Sequence, residues 1–351
     1  MRTDERAAAK LRATIFDVAR HAGVSIKTVS RVVNNEPNVR EATRDKVRAS
    51  IDALHYRPNA AARGLSAKRS FVIGLIYENS EEFSYTKDLL SGVLGACETH
   101  NYSLLLRPLT LPSAEVSHSI HSFIRLTAAE GVVLPAPIGD MPEVMQVLSG
   151  LDVPVATISP KHPRSADISV YCDEADATFR LTEHVLALGH THIGFIKGHP
   201  DHRASHERLA GFTQALQTNK IGLDASLTED GFFTFESGRQ AAFRLLRRER
   251  PPTAIIATND EMACGVMHAA HELDLHIPHD VSIAGFDDTA VASRLWPPLT
   301  TVRQPITEMA EAATSRLIQR LIGDEPGAPE ACSPGLFPCQ LVIRRSTAAR
   351  S

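Results

Sequence analysis

Residues 14 to 34, TIFDVARHAGVSIKTVSRVVN, fall into two short helical patterns that part at Gly23. Thr14 and Asp17 have the T-x-x-D spacing of a capping box, Val18, Ala19 and Ala22 share one helical face, and Gly23 supplies the backbone freedom for an abrupt exit. Ser25 is placed to cap the second helix, whose Val29 and Val32 face back toward the first, and small Ala19 permits close approach. Ile26, Lys27, Thr28, Ser30 and Arg31 are left pointing outward. The pattern is that of a helix-turn-helix, a device for reading DNA, with an ordinary helical hairpin as the plainer alternative.

Charge separates those two readings. Residues 1–70 hold 15 Lys+Arg against 7 Asp+Glu, whereas the other 281 residues hold 22 against 34, a split that the whole-chain net of −4 conceals. A basic head on an acidic body suits a polyanion-binding module joined to a domain that does not bind DNA. With 351 residues, 43% hydrophobic and 22% charged, the chain has material for more than one folded domain. The first 13 residues lack an apolar signal-peptide core, and no run of about 18 apolar residues occurs, so the expectation is a cytoplasmic chain without a membrane partner. Cys97, Cys172, Cys264, Cys332 and Cys339 are scattered without C-x-x-C spacing, which argues against a disulfide framework or zinc site.

A third helix is expected from Glu41 to Leu54, where Val47, Ile51 and Leu54 recur at helical spacing, although Arg40 is a poor cap. Pro58 ends it and Asn59 can cap a short AAARGL helix, too brief to be stable alone; a plain linker is the alternative. From Phe71 the texture changes to short apolar runs between amphipathic stretches. FVIGLIY (71–77), SLLLRP (103–108), GVVLP (131–135), VPVATI (153–158), HIGFIK (192–197), TAIIAT (253–258) and VSIAGF (281–286) read as strands buried on both faces, and CQLVIRR (339–345) as a last one. Helical patterns lie near 175–188, 204–219, 237–249, 260–273 and 306–322. Their alternation specifies doubly wound parallel α/β sheets, and the number of units predicts two lobes with a ligand cleft at the carboxyl ends of the strands.

An ordered series of motifs then carries a family resemblance: the opening stretch, the third helix running into HYRPNAAARGL (55–65), LALGHTHIGFIKG (186–198), ERLAGF (207–212), ATNDEMACGVM (257–267) and VSIAGFDDTAVASRLWPPLTTVRQP (281–305). Over essentially its whole length after residue 13 the chain resembles the lactose/galactose repressor (LacI/GalR) family of bacterial transcription regulators. The resemblance implies an all-α helix-turn-helix head, a two-lobed core like periplasmic binding proteins, and a homodimer on a pseudopalindromic double-stranded operator. It implies an N-terminal extension 1–13, a head 14–57, a hinge 58–70, a core 71–345 (lobe 1 about 71–172 and 303–333, lobe 2 about 173–302 and 334–345) and a tail 346–351.

Carried onto this sequence, the family pattern puts Ile26, Lys27 and Arg31 against base edges and Thr14, Thr28, Ser30 and Asn34 against phosphates. The chemistry agrees: Arg31 can donate twice to guanine, Ile26 can meet a thymine methyl, and Lys27 suits guanine or phosphate equally. Asn59, Ala62 and Leu65 match the minor-groove hinge, with Leu65 as the wedge between base pairs. Tyr85, Ser159, His202, Arg208, Phe233, Asn259 and Asp287 match effector contacts. Their types suit a polyhydroxylated ligand, with Arg208 forking onto hydroxyls or a carboxylate and Phe233 facing a sugar ring, unless Phe233 is core and Asp287 caps a turn. Ser159-Pro160 departs from the acid-plus-arginine pair of many sugar-responsive members. His199, Asp201, His202 and His206 cluster before Arg208, but the loop coincides with the family's effector loop, so no metal and no cofactor is expected. The motifs of nucleotide, serine-hydrolase and zinc-protease chemistry are missing, which disfavours an enzyme, and the basic head disfavours a transport receptor. The expected function is repression of carbohydrate-utilisation genes relieved by a sugar, with activation, or response to a non-sugar metabolite, as the alternative.

Overall fold

The capping box forms as the sequence requires. In the computed structural model the Thr14 amide donates to Asp17 Oδ2 at 2.9 Å, and the Asp17 amide donates back to Thr14 Oγ1 at 3.4 Å. This opens α1 (Ile15–Ala22), which Gly23 ends at φ 61°. Ser25 Oγ accepts from the Thr28 amide at 3.1 Å to start α2 (Ile26–Val33). α3 (Glu41–Ala53) starts at Arg40 without a side-chain cap. Val18, Ala22, Val29 and Val47 are fully buried, the three valines contributing about 2 kcal/mol each, with Ile51 and Leu54 packed against them. One polar tie was not legible in the pattern: Ser50, buried on α3, meets His21 Nδ1 of α1 at 3.0 Å.

The structure describes residues 13–33, 39–56, 69–79, 83–111, 113–163, 168–323 and 335–350. The expectations for Asn34, Asn59, Ala62, Leu65 and Cys332, and for most of the hinge, lie outside these residues. The chain divides into two compact units, 1–71 and 72–351, so the core begins one residue later than expected.

The second unit begins with β1 (Val72–Glu78), α4 (Phe83–Thr99), β2 (Ser103–Leu109), α5 (Val116–Thr127), β3 (Gly131–Pro135), α6 (Pro142–Gly150), β4 (Val155–Ile158) and β5 (Ile168–Cys172). It then crosses to a second lobe of α7 (Glu174–Ala187), β6 (Ile193–Ile196), α8 (Arg203–Thr218), β7 (Thr228–Glu229), α9 (Phe235–Leu246), β8 (Ala254–Ala257), α10 (Asp260–Glu272) and β9 (Ser282–Ala284). The last elements are β10 (Thr301–Arg303), α11 (Ile306–Ile322), β11 (Gly335–Phe337) and β12 (Gln340–Val342). The first sheet has the parallel order β11-β5-β4-β3-β1-β2, the second the parallel order β7-β6-β8-β9, and β10 pairs antiparallel with β12. Strand order reverses between β1 and β3 in one sheet and between β6 and β8 in the other, which opens a crevice at the carboxyl ends of each. α4 and α11 pack on one another so closely that a Cβ at Gly92 would collide with the Thr307 carbonyl.

Three sequence expectations need correction. Residues 346–350 are no loose tail: Ser346 is fully buried, its carbonyl accepts from the Ile283 amide at 2.8 Å, and the Arg350 amide donates to Leu188 O at 2.8 Å. Lobe 1 extends past residue 333, because β11 pairs parallel with β5 and the chain recrosses only after Phe337. β2 is an edge strand rather than a buried one, leaving Leu105 and Leu106 exposed. β5 carries no clear strand pattern in the sequence; its Ser169 looks polar but is buried, with its hydroxyl 2.9 Å from Thr157 Oγ1. Cys97, Cys172, Cys264 and Cys339 are buried free thiols, and burial pushes those of Cys97 and Cys264 up to about 12. Among the described residues no helix is long and apolar enough to cross a membrane.

Candidate functional site

Two surfaces are arranged for binding, one in each unit. On the first, α2 turns Val29 and Val32 into the core and so presents its opposite face outward, with Ile26 41% exposed and Lys27 exposed beside it. Thr28 Oγ1 lies 2.9 Å from Ser25 Oγ, and Thr14 donates its hydroxyl to Asp17 Oδ2 at 2.7 Å, so both threonines are held by the caps they belong to. Ser30 and Arg31 are half-buried on the same helix. Phe16 was not singled out from the sequence, yet it is 60% exposed in the first turn of α1. Its signal was an aromatic residue lying off the Val18, Ala19 and Ala22 face.

The second surface is a cavity of about 340 Å³ between the carboxyl ends of the two parallel sheets. Tyr77, Glu78 and Asn79 at the end of β1, Tyr85 on α4, Pro135 and Ala136 after β3, and Ser159 after β4 form one wall. His199, His202, Arg203 and Arg208 on and before α8, with Phe232 and Phe233 after β7, form the other. Glu174 and Gln304 reach in from the crossings between the lobes, and Asp287 from the loop after β9. Six expected residues therefore meet here: Tyr85, Ser159, His202, Arg208, Phe233 and Asp287. Asn259 does not reach the wall. It is 1% exposed, caps α10 by accepting from the Met262 amide, and donates to the Phe233 carbonyl at 2.9 Å.

Three of these lining residues, Ser159 (φ 53°), Phe233 (φ 61°) and Asp287 (φ 108°), hold a left-handed backbone that costs a non-glycine residue about 1–3 kcal/mol. Hydrogen bonds fix all three: Ser159 N to Val170 O at 2.8 Å, Asp287 N to Val302 O at 2.7 Å, and Asn259 to Phe233. The Phe233 ring lies against Gly198, where a Cβ would overlap it.

Arg208, 4% exposed, is the polar centre. Its Nε donates to Glu174 Oε2 at 2.9 Å, Nη1 donates to the Thr258 carbonyl, and Nη2 lies 3.6 Å from Asp287 Oδ1. The Phe286 ring centre lies 3.8 Å from the guanidinium carbon. Burial alone would lower the Arg208 pKa, but the Glu174 and Asp287 carboxylates outweigh it and hold the group charged. Burial pushes the Asp287 carboxyl up, against the pull of Arg208 and of Gln304, whose Nε2 donates to Asp287 Oδ1 at 2.7 Å. Burial also raises Glu78. His202 is pushed down to about 4, chiefly by burial and further by His199 and Arg208, so its imidazole is neutral near pH 7.

Glu174 and Gln304 escaped the sequence reading. Glu174 follows Asp173, and consecutive acids at a helix start read as two first-turn charges; only Asp173 caps, accepting from the Asp176 amide at 3.0 Å, while Glu174 turns inward to Arg208. His206 Nε2 meets the Pro200 carbonyl at 2.8 Å, and among the described residues no group of three His, Cys, Asp or Glu is placed to hold a metal ion.

Sequence comparison agrees with this architecture. Residues 14–59 match the model for bacterial regulatory proteins, lacI family, and residues 182–347 match that for a periplasmic binding protein-like domain. The HTH-type transcriptional regulator AscG of Escherichia coli (strain K12) is 33% identical over 325 residues, covering 92% of this chain and 96% of AscG. A solved lac repressor dimer bound to operator and the anti-inducer ONPF superimposes with a TM-score of 0.74 at 29% identity, over 96% of this chain and 99% of that one. A CelR–cellobiose complex gives 0.72 at 28% identity, over 95% and 100%. The chain belongs to the lacI family of bacterial regulatory proteins and is a DNA-binding transcriptional regulator, not an enzyme.

Proposed function

We propose that the protein is a cytoplasmic, dimeric repressor of carbohydrate-utilisation genes whose operator binding is controlled by a sugar or sugar derivative in the cavity between its lobes. The observation that carries this reading is the buried cluster of Arg208, Glu174 and Asp287 beside the Phe233 ring, at the carboxyl ends of two parallel sheets. Hydrogen-bonding groups around one aromatic face suit a ring with hydroxyls at its edge and an apolar side. A CelR–cellobiose complex among the structural relatives supports the ligand class, and the dimeric, operator-bound lac repressor supports the assembly.

On the DNA side, Ile26, Lys27 and Arg31 read base edges, Thr14, Thr28, Ser30 and Asn34 meet phosphates, and Asn59, Ala62 and Leu65 serve the minor-groove hinge. Exposure of Ile26 and Lys27 on the outer face of α2 supports the first of these roles. Because Glu174 and Gln304 sit on interlobe crossings and Gln304 is bonded to Asp287 of the second lobe, a ligand that engages them biases the angle between the lobes and thereby the DNA-bound state. A thermal-shift screen of sugars, followed by operator titration with and without the hit, tests the reading. A sugar that raises the melting temperature and weakens operator binding supports it; stabilisation by nucleobases or amino acids alone overturns it.

A further inference from the structure

Arg208 is the only cation in the buried cluster, and two of its guanidinium nitrogens donate to protein acceptors, Nε to Glu174 Oε2 and Nη1 to the Thr258 carbonyl, while Nη2 lies 3.6 Å from Asp287 Oδ1 in an ionic contact. An acidic ligand therefore meets a guanidinium whose Nε edge is already given to Glu174 and whose charge is already opposed by two carboxylates. Two carboxylates against one guanidinium leave the cluster with an excess of negative charge. Arg203, the other cation on the wall, lies 3.4 Å from Glu207 and over the Tyr171 ring, while His202 is neutral and Glu78 adds a third carboxylate.

The acceptors show the opposite bias. Gln304 donates to Asp287 Oδ1, which also faces Arg208 at 3.6 Å, and Arg208 donates to Glu174 Oε2. Among the described residues no donor reaches Asp287 Oδ2 or Glu174 Oε1, although both side chains are at least nine-tenths buried and line the cavity. A carboxylate oxygen can only accept, so these two positions call for donors on the ligand. Hydroxyl groups supply them without bringing a charge.

We infer that Glu174 is a specificity-determining residue that occupies the Arg208 guanidinium and so restricts the cavity to uncharged polyols, rejecting phosphorylated sugars and sugar acids. This rests on the reading of the cavity as the effector site. The selection works by repulsion as much as by attraction: an anion entering beside Asp287 and Glu174 meets like charge where little water screens it.

The test compares glucose, galactose, ribose and cellobiose with their phosphate esters and sugar acids, by thermal shift and calorimetry on the full-length protein. The expected result is that at least one neutral sugar binds and its anionic counterparts bind at least about 100-fold more weakly. In Glu174→Gln, which keeps the side-chain shape but removes one charge, that discrimination should narrow by about tenfold or more, with far-UV dichroism checking that the variant folds. Tighter binding of an anionic member to the wild type overturns the inference while leaving the effector site in place. Unchanged discrimination in folded Glu174→Gln removes Glu174 from the role. Failure of every sugar to bind removes the carbohydrate reading and this inference together.

Discussion

Asn259 holds Phe233 from behind: its side-chain amide donates to the Phe233 carbonyl at 2.9 Å while its Oδ1 accepts from the Met262 amide at 2.9 Å. One buried residue thus starts α10 and fixes an aromatic wall of the cavity in a left-handed backbone. Asn259→Ala should cost about 1 kcal/mol or more for the lost cap and weaken effector binding as well. Asn259→Ser retains a capping oxygen but has no amide to give Phe233, so its melting temperature should recover while calorimetry still shows weak effector binding. Equal loss of both in the two variants would contradict this division of roles.

Arg208→Met should be more damaging. It leaves Glu174 and Asp287 buried without their cation, and breaking a buried ion pair in this way costs about 3–5 kcal/mol. Urea unfolding of the second unit should report a loss of that order, together with loss of effector stabilisation. A loss below 1 kcal/mol would mean that the carboxyls simply take up protons or that the cluster relaxes into water.

Acid should expose His202. Its imidazole is held down to about 4, whereas an unfolded histidine titrates near 6.5, so over that interval the unfolded chain binds more protons and stability falls as pH falls. The slope from this group is at most about 1.4 kcal/mol per pH unit. Asp287 works in the opposite sense, because its raised pKa lets the folded state take up protons first. His202→Gln isolates the histidine: between pH 7 and pH 5 the variant's melting temperature should fall less than the wild type's. Parallel curves would contradict the assignment.

Gly198→Ala places a methyl group in the Phe233 ring. Overpacking of this kind costs about 1–3 kcal/mol, and relief by moving Phe233 dismantles the cavity wall. The expected phenotype is operator binding at wild-type affinity that no longer responds to effector. Filter binding with and without the screened sugar checks it, and a normal response would show that the ring is not needed where it stands.

Lys27 and Arg31 should separate on DNA. If Arg31 reads a base, Arg31→Ala costs about 1–3 kcal/mol on operator and far less on unrelated DNA. If Lys27 meets phosphate, Lys27→Ala weakens both and lowers the slope of log affinity against log salt by about 1. An unchanged slope with lost discrimination would move Lys27 to the base edge.

Much of this was legible because local chemistry and tertiary context agree. The capping box at Thr14, the turn at Gly23 and the apolar face of Val18, Ala19 and Ala22 each specify the same head, and every one is visible within a few residues. What stayed hidden depends on distant partners. Ser169 reads as a loop residue until Thr157 of the neighbouring strand bonds its hydroxyl, and Glu174 reads as a surface acid until Arg208 arrives from another helix. Residues 346–350, rich in small and polar side chains, offer no hydrophobic signal because hydrogen bonds to Ile283, Ser282 and Leu188 hold them in place.

The strand Gly335–Phe337, which closes the first sheet beside β5, also sets an order of events during synthesis. The amino-terminal lobe leaves the ribosome first, yet its sheet waits for a strand from near the carboxyl end of the chain. Until that strand and the helix Ile306–Ile322 emerge, β5 has a bare edge and α4 lacks its main partner, while the second lobe already has all four of its strands. The nascent chain therefore passes through an interval in which its older half carries an unpaired strand edge and uncovered apolar surface. In that interval chaperones, or a second nascent chain, have most to bind.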